Sequence, residues 1–182
     1  ELSKLFSLNL ISNEPLDPAT ERKFLGKLRR LVRWADVVLI MDFGHGLLTR
    51  PVRQLLESRA KFLAVNCQTN SNNYGFNVIN RRYHRADSFS LDQAEITLAV
   101  GRRRFDFEKE LEKLRRHLRS RYAWLTRGGR ETIGLTSKTA CHCAPFERNI
   151  VDTVGAGDAF CAVATLAAAR GLPIEEATFL GQ

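Results

Sequence analysis

The stretch "ADVVLIMDFGHG", residues 35–46, decides the fold. Val37 to Met41 form an unbroken apolar run, the pattern of a strand buried on both faces, and Asp42 closes it before a turn carrying Gly44 and Gly46. A helix follows: Thr49 is a good N-cap, Pro51 sits near the first turn, and Val52, Leu55 and Leu56 face inward. Next come a strand in "KFLAVN", an Asn- and Ser-rich loop from Gln68 to Asn80, and a short strand in "ADSFSL". A helix "QAEITLAV" stops at Gly101, an Arg-rich helix follows, and "YAWLT" is another strand. Strands alternating with helices imply a parallel sheet with helices on both faces, an α/β fold.

The pattern changes after Gly128. "ETIGLTSK" and "TACHCAPF" are two short alternating segments close together, read as an antiparallel hairpin. An almost wholly apolar helix follows, closed by Gly171 with Pro173 beyond, and "PIEEATFL" begins one more.

With 182 residues, 44% hydrophobic and 26% charged, the composition is that of one globular domain with a real core. The longest apolar run, Ala159 to Ala169 broken by Thr165, is well short of the roughly 20 residues that cross a bilayer. No basic leader precedes a short apolar core, so a cytoplasmic location is expected, without membrane attachment. The net charge of +8 must be placed before it is interpreted. In "FEKELEKLRRHLRSR" the residues Phe107, Leu111, Leu114 and Leu118 form a buried stripe, leaving Arg115, Arg116, Arg119 and Arg121 as a solvated surface. In "RKFLGKLRRLVRW" the stripe is Phe24, Leu28 and Leu31. Neither helix interleaves aromatics with its cations, so nucleic acid is not the expected partner. The cysteines, Cys67, Cys141, Cys143 and Cys161, have no disulfide-framework spacing, and a strand would turn His142 away from its two flanking sulfurs.

"DTVGAGDAF", residues 152–160, carries the chemistry. Gly155, Ala156 and Gly157 permit close backbone approach, so their N–H groups can converge on an anion at the positive end of the helix dipole. A carboxylate in that first turn, Asp158, is placed to take a proton from a hydroxyl attacking a γ-phosphate. Asp is also a common N-cap and small residues often make a plain turn, and the tetrad alone leaves both readings open.

The longer string "VDTVGAGDAFCA" resembles the C-terminal signature of the ribokinase-like (PfkB) family of carbohydrate kinases. The resemblance implies a three-layer fold, a mostly parallel sheet flanked by helices with a C-terminal antiparallel hairpin, and ATP-dependent phosphorylation of a sugar or sugar-phosphate hydroxyl with Asp158 as base and Gly155 to Gly157 as anion hole. "WLTRGGRETIGL" is similar to the Thr-x-Gly turn along the nucleotide, giving Thr126 and Gly128, with Glu131 where the family usually has a further glycine. Arg127 or Arg130 adds charge to the phosphates or is simply a solvated loop residue. "SLDQAEITLAVG" resembles the Asn-x-x-Glu motif that orders magnesium through water, with Asp92 in place of Asn and Glu95 retained; on spacing alone the pair would be an acidic complement to a helix dipole. Asp152 and the carbonyl of Val154 match a monovalent cation site, expected to take K+.

Within the family, "ADVVLIMDFGHGLLT" is similar to the kinase domain of bifunctional heptose-phosphate kinase/adenylyltransferases (ADP-heptose synthase-like), which puts Asp42 and His45 on the substrate side. Those enzymes commonly carry lysine where this chain has His45 and Asp-Pro-Lys where it has Asn66, Cys67 and Gln68. Family members are longer, so residues 1–182 read as the nucleotide-binding and catalytic-base portion of one kinase domain, without the N-terminal sugar-binding part and the last helices. The resemblance leaves room for a homodimer and for a fused nucleotidyltransferase domain. The alternative is a nucleotide- or anion-binding remnant of the same fold without turnover.

Overall fold

The computed structural model describes residues 8, 10–69, 73, 75–146 and 154–182. In chain order the elements are α1 (Pro18–Trp34), β1 (Val38–Asp42), α2 (Arg50–Arg59), β2 (Leu63–Cys67), α3 (Ile79–Arg82), β3 (Ser88–Asp92) and α4 (Gln93–Val100). They continue with α5 (Phe107–His117), β4 (Tyr122–Thr126), β5 (Thr132–Leu135), β6 (Ala140–Cys143), α6 (Ala156–Ala169) and α7 (Ile174–Gly181).

The six strands form one sheet in the order β1-β2-β3-β4-β5-β6. The pairs from β1 to β4 are parallel, and the β5–β6 hairpin continues the sheet antiparallel to β4. Asp42 pairs with Cys67 and Asp92 with Thr126, which aligns the carboxyl ends of the parallel strands along one edge.

Strand residues with period 2 feed two cores. Leu63, Val65, Ala123 and Leu125 pack with Val52, Leu56, Ile96, Leu111, Leu114 and Leu118, the inward residues of α2, α4 and α5. Ala64, Tyr122 and Trp124 point the other way, onto Phe160, Ala164 and Ala168 of α6 and Ile174 and Ala177 of α7. The architecture is therefore three-layered α/β, with β2, β3 and β4 almost wholly enclosed. β1 is less buried than its apolar run implies, because among the described strands it pairs only with β2.

Three further expectations are corrected. In α1 Leu25 and Val32 are buried and the expected Phe24 and Leu28 pack against the core half-buried, while Leu31 is 64% exposed, because α1 lies on α2 over a narrow stripe that turns Leu31 outward. Arg115 is buried rather than solvated: its Nη1 donates to the carbonyl of Ser120 at 2.7 Å and its Nε to Glu112 at 2.6 Å, closing the turn after α5. Thr49 stands at the α2 N-cap position, but its hydroxyl makes no capping bond. The expected stops hold: Gly101 ends α4 in the left-handed region at φ 73°, the conformation glycine adopts without steric cost.

β5 is fastened to the α6/α7 layer at Gly134. A Cβ there would lie 2.5 Å from Thr178 Oγ1 and 2.8 Å from Cys141 Sγ, so α7 can approach only because this residue has none. The same Thr178 hydroxyl accepts from Trp124 Nε1 at 2.9 Å and donates to Ile174 O at 2.6 Å.

Candidate active site at the carboxyl ends of the strands

A cavity of about 190 Å³ opens where β2, β3 and β4 end beneath the start of α6. Asn66, Gln68 and Thr69 line it from β2 and its loop, Ser90, Leu91, Asp92 and Glu95 from β3 and α4, Thr126 from β4, and Gly155, Gly157 and Asp158 from α6. Open α/β sheets bind ligands in such crevices, at the carboxyl ends of their strands. A larger groove of about 440 Å³ between α5 and the hairpin turn holds none of the expected site residues.

Gly155 is the α6 N-cap, at φ 80°, and Asp158 falls in the first turn. Around Gly155 and Gly157 a side chain would meet nothing within 4 Å, so both glycines leave open space in front of the helix N-terminus. Ala156 is exposed beside them. Free N–H groups and the dipole of a helix as long as α6 favour an anion at that spot.

The Asp158 carboxylate is held from the opposite side. Gln68 Nε2 donates to Asp158 Oδ1, a contact between residues 90 apart in sequence. The Gln68 backbone is clamped in turn: its N–H donates to Asp42 O at 2.9 Å, and its carbonyl accepts from Asn73 Nδ2 at 3.0 Å and Asn77 Nδ2 at 3.1 Å.

Asp92 and Glu95 make a reciprocal cap at the start of α4. Asp92 Oδ1 accepts from Glu95 N at 2.7 Å, and Glu95 Oε2 accepts from Asp92 N at 2.8 Å. Glu95 Oε1 also accepts from Thr69 N at 3.1 Å. Burial pushes the Glu95 carboxyl up to about 7, with the charges of Asp92 and Asp158 adding to the effect. Among the described residues no three His, Cys, Asp or Glu side chains already converge on one metal position. Asp92, Glu95 and Asp158 nevertheless face one cavity with hard oxygen donors, which suits a cation that keeps its waters.

Thr126 lines the cavity, with its hydroxyl 3.4 Å from Leu91 O. Gly128 lies in the following turn at φ 58° and does not contribute to the lining. Arg127 is turned aside: its guanidinium pairs with Glu131 and lies 4.5 Å from the centre of the Phe107 ring. Among the described residues no Lys, Arg or His lines the cavity.

Asp42 and His45 are not brought into it. Asp42 is 2% exposed, with its carboxylate taken up by Tyr83 Oη at 2.6 Å, Gly44 N at 2.9 Å and Arg82 Nε at 3.3 Å. His45 Nδ1 lies 2.9 Å from Asn13 Oδ1. Val154 is exposed, and the expected partner Asp152 lies outside the described residues. Cys141 and Cys143 are half-buried, with His142 exposed between them.

Sequence reasoning missed Asn66, Thr69 and Ser90 as lining residues and Gln68 as the partner of Asp158. For Asn66 and Thr69 the signal was available, since they stand at or just past the end of a parallel strand, whereas Ser90 lies mid-strand in β3.

A family model described as pfkB family carbohydrate kinase matches residues 52–182. The chain belongs to the PfkB family of carbohydrate kinases. Among curated relatives, this PfkB chain is 28% identical over 172 residues to the bifunctional protein HldE of Shewanella putrefaciens (strain CN-32), covering 91% of the chain and 35% of that protein. It therefore spans about a third of the length of the curated relatives it matches. Phosphofructokinase-2 from Escherichia coli in complex with substrates and products superposes with a TM-score of 0.73 at 17% identity, over 92% of this chain and 55% of that one. A complex of the same enzyme with potassium gives 0.74 at 17% identity, over 92% of this chain and 54% of that one. Ribokinase from Thermotoga maritima gives 0.64 at 18% identity, over 84% and 50%. The PfkB chain thus has the ribokinase-like fold, and none of its described helices is long and apolar enough to cross a membrane.

Proposed function

We propose that the protein containing this chain is an ATP-dependent kinase acting on a hydroxyl of a sugar or sugar phosphate, in the manner of a heptose-phosphate kinase, and that this chain supplies the nucleotide-phosphate and base portion. The observation that carries the reading is the convergence of Asp158, the open glycines of α6, Thr126 and the Asp92/Glu95 pair on one cavity. In this reading Asp158 accepts the proton of the substrate hydroxyl as its oxygen bonds to the γ-phosphorus. The bond from that phosphorus to the bridging oxygen breaks, and ADP leaves. The N–H groups of Gly155, Ala156 and Gly157 meet the charge that develops.

Magnesium, when bound, would neutralise charge on the transferring phosphates. Asp92 and Glu95 would hold it through water, since their oxygens already serve as caps. Potassium is proposed at Asp152 and Val154 on the family resemblance. A cytoplasmic setting, a homodimer and a fused nucleotidyltransferase domain belong to the same proposal.

The test is phosphoryl transfer from MgATP to a panel of pentoses, hexoses, heptoses and their monophosphates. Asp158→Asn should abolish transfer while sparing nucleotide binding measured by calorimetry, and Gly155→Asp should remove the binding. Undiminished transfer by Asp158→Asn refutes the assignment of the base.

A second reading, an anion- or nucleotide-binding domain without turnover, is favoured by the pairing of Arg127 with Glu131, which leaves the described lining without a cation. Saturable MgATP binding with no transfer to any acceptor would select it.

A further inference from the structure

We propose that Gln68 is the positioning residue for Asp158, fixing the base with a neutral donor; the inference rests on the kinase reading above. The Gln68 side chain donates to one carboxylate oxygen, Oδ1. Among the described residues no other hydrogen bond is made to the Asp158 side chain, so Oδ2 is left for the hydroxyl to be deprotonated. Amides donate hydrogen bonds without carrying charge, so the carboxylate is oriented with no adjacent cation to weaken it as a base.

The geometry is built rather than incidental. The three backbone bonds to Asp42, Asn73 and Asn77 fix the Gln68 main chain at the end of β2. The next residue, Thr69, donates to Glu95 Oε1 at 3.1 Å, so adjacent residues of one loop hold the base and the proposed magnesium-side carboxylate. Asn66, one turn of the β2 pleat earlier, is 5% exposed and gives its Nδ2 to Ser90 O at 3.1 Å. Its Oδ1 has no partner, which leaves a buried acceptor in the same lining. The strand end that faces Asp158 is therefore polar and uncharged.

The consequence is kinetic. Removing the amide should lower kcat and spare KM for MgATP, because the donor acts on the base and not on the nucleotide. Replacing it with a cation should move the acid limb of the pH–rate profile, since a neighbouring ammonium depresses a carboxylate by about 1 to 3 pH units.

The experiment measures kcat, KM for MgATP and pH–rate profiles of the complete protein with the panel sugar that gives the fastest transfer. Gln68→Leu, Gln68→Lys and Gln68→Glu are compared with wild type. The expected result is an approximately tenfold loss of kcat in Gln68→Leu with KM within about twofold, an acid limb moved to lower pH in Gln68→Lys, and one moved to higher pH in Gln68→Glu. Circular dichroism of each variant separates a fold defect from a lost contact, and the two charged variants keep the test open if Gln68→Leu misfolds. If Asp158→Asn abolishes transfer while all folded Gln68 variants keep the wild-type kcat and profile, this inference is overturned and the kinase reading stands. If wild type transfers to no acceptor, or Asp158→Asn transfers as well as wild type, the reading fails and takes the inference with it.

Discussion

Glu131 Oε2 accepts a hydrogen bond from His142 Nδ1 at 2.8 Å, joining the start of the hairpin to its second strand just beyond the turn after β4. The other ring nitrogen of His142, Nε2, lies 3.4 Å from Glu108 Oε2, at the start of α5, and the second Glu131 oxygen pairs with Arg127. The Glu131 carboxylate thus ties the turn to the hairpin, and His142 carries the tie on to α5.

The tie is pH-dependent in a stated direction. Hydrogen bonding to Glu131, with its charge and that of Glu108, raises the His142 pKa above the ordinary value, while Glu131 itself is lowered chiefly by its bond to His142. The histidine's contribution to stability is fully present below its unfolded pKa and is lost as pH rises through the raised folded value; that of Glu131 is lost only at the acid end, as pH falls through its depressed value. The melting-temperature difference between wild type and His142→Gln should be largest near pH 6 and shrink toward pH 9. A difference independent of pH would show that the ion pairs are not its source.

On the kinase reading, Glu131→Gln should release Arg127 toward the bound phosphates. We expect MgATP to bind about threefold more tightly at low salt, with the advantage lost as ionic strength rises, because the gain is one exposed charge. Calorimetric titration at two salt concentrations reads both effects, and unchanged affinity at low salt would leave Arg127 without a role at the phosphates.

Glu95 makes the metal-free protein sensitive to neutral pH. Its folded pKa of about 7 lies above the ordinary carboxyl value of 4.5, so between these values the unfolded chain ionises while the folded one keeps its proton. Stability from this group is therefore lost progressively as pH rises across that window, and the loss is complete above about 7. Thermal unfolding without magnesium should show this decline, and Glu95→Gln should flatten it. An equally steep decline in the variant would place its origin elsewhere.

Gly134→Ala should destabilise the protein by about 1 to 3 kcal/mol, the usual range for overpacking. The added methyl group overlaps Thr178 Oγ1 and Cys141 Sγ, forcing α7 off β5 and loosening the Trp124–Thr178 bond. Denaturant unfolding followed by Trp124 fluorescence checks this, with Gly26→Ala, mid-helix in α1 with nothing within 4 Å, as the control expected to keep or gain stability by about 0.5 to 1 kcal/mol.

Much of this was legible from residue order because it is local. The caps at Gly101 and Gly171, the alternation in the hairpin strands and the inward Leu111, Leu114 and Leu118 depend on neighbours within a few positions. Leu31 and Arg115 were misplaced because their environment depends on which surface the helix meets and on a carbonyl beyond its end. At the site, the glycines and Asp158 announced themselves as a contiguous string. Gln68 could not, since nothing near it in sequence indicates that its amide will reach a carboxylate on a helix from the opposite layer.

That 90-residue separation also sets an order of events for the chain. Asp158 is expected to meet the Gln68 amide after the parallel strands have aligned and α6 has docked across their far side, since long closures are the slow, entropically expensive steps of folding. Helix content should consequently recover early on dilution from denaturant, with saturable MgATP binding returning in a later phase. The cavity is then a reporter of completed assembly, because its lining comes from both the strand ends and the first turn of α6.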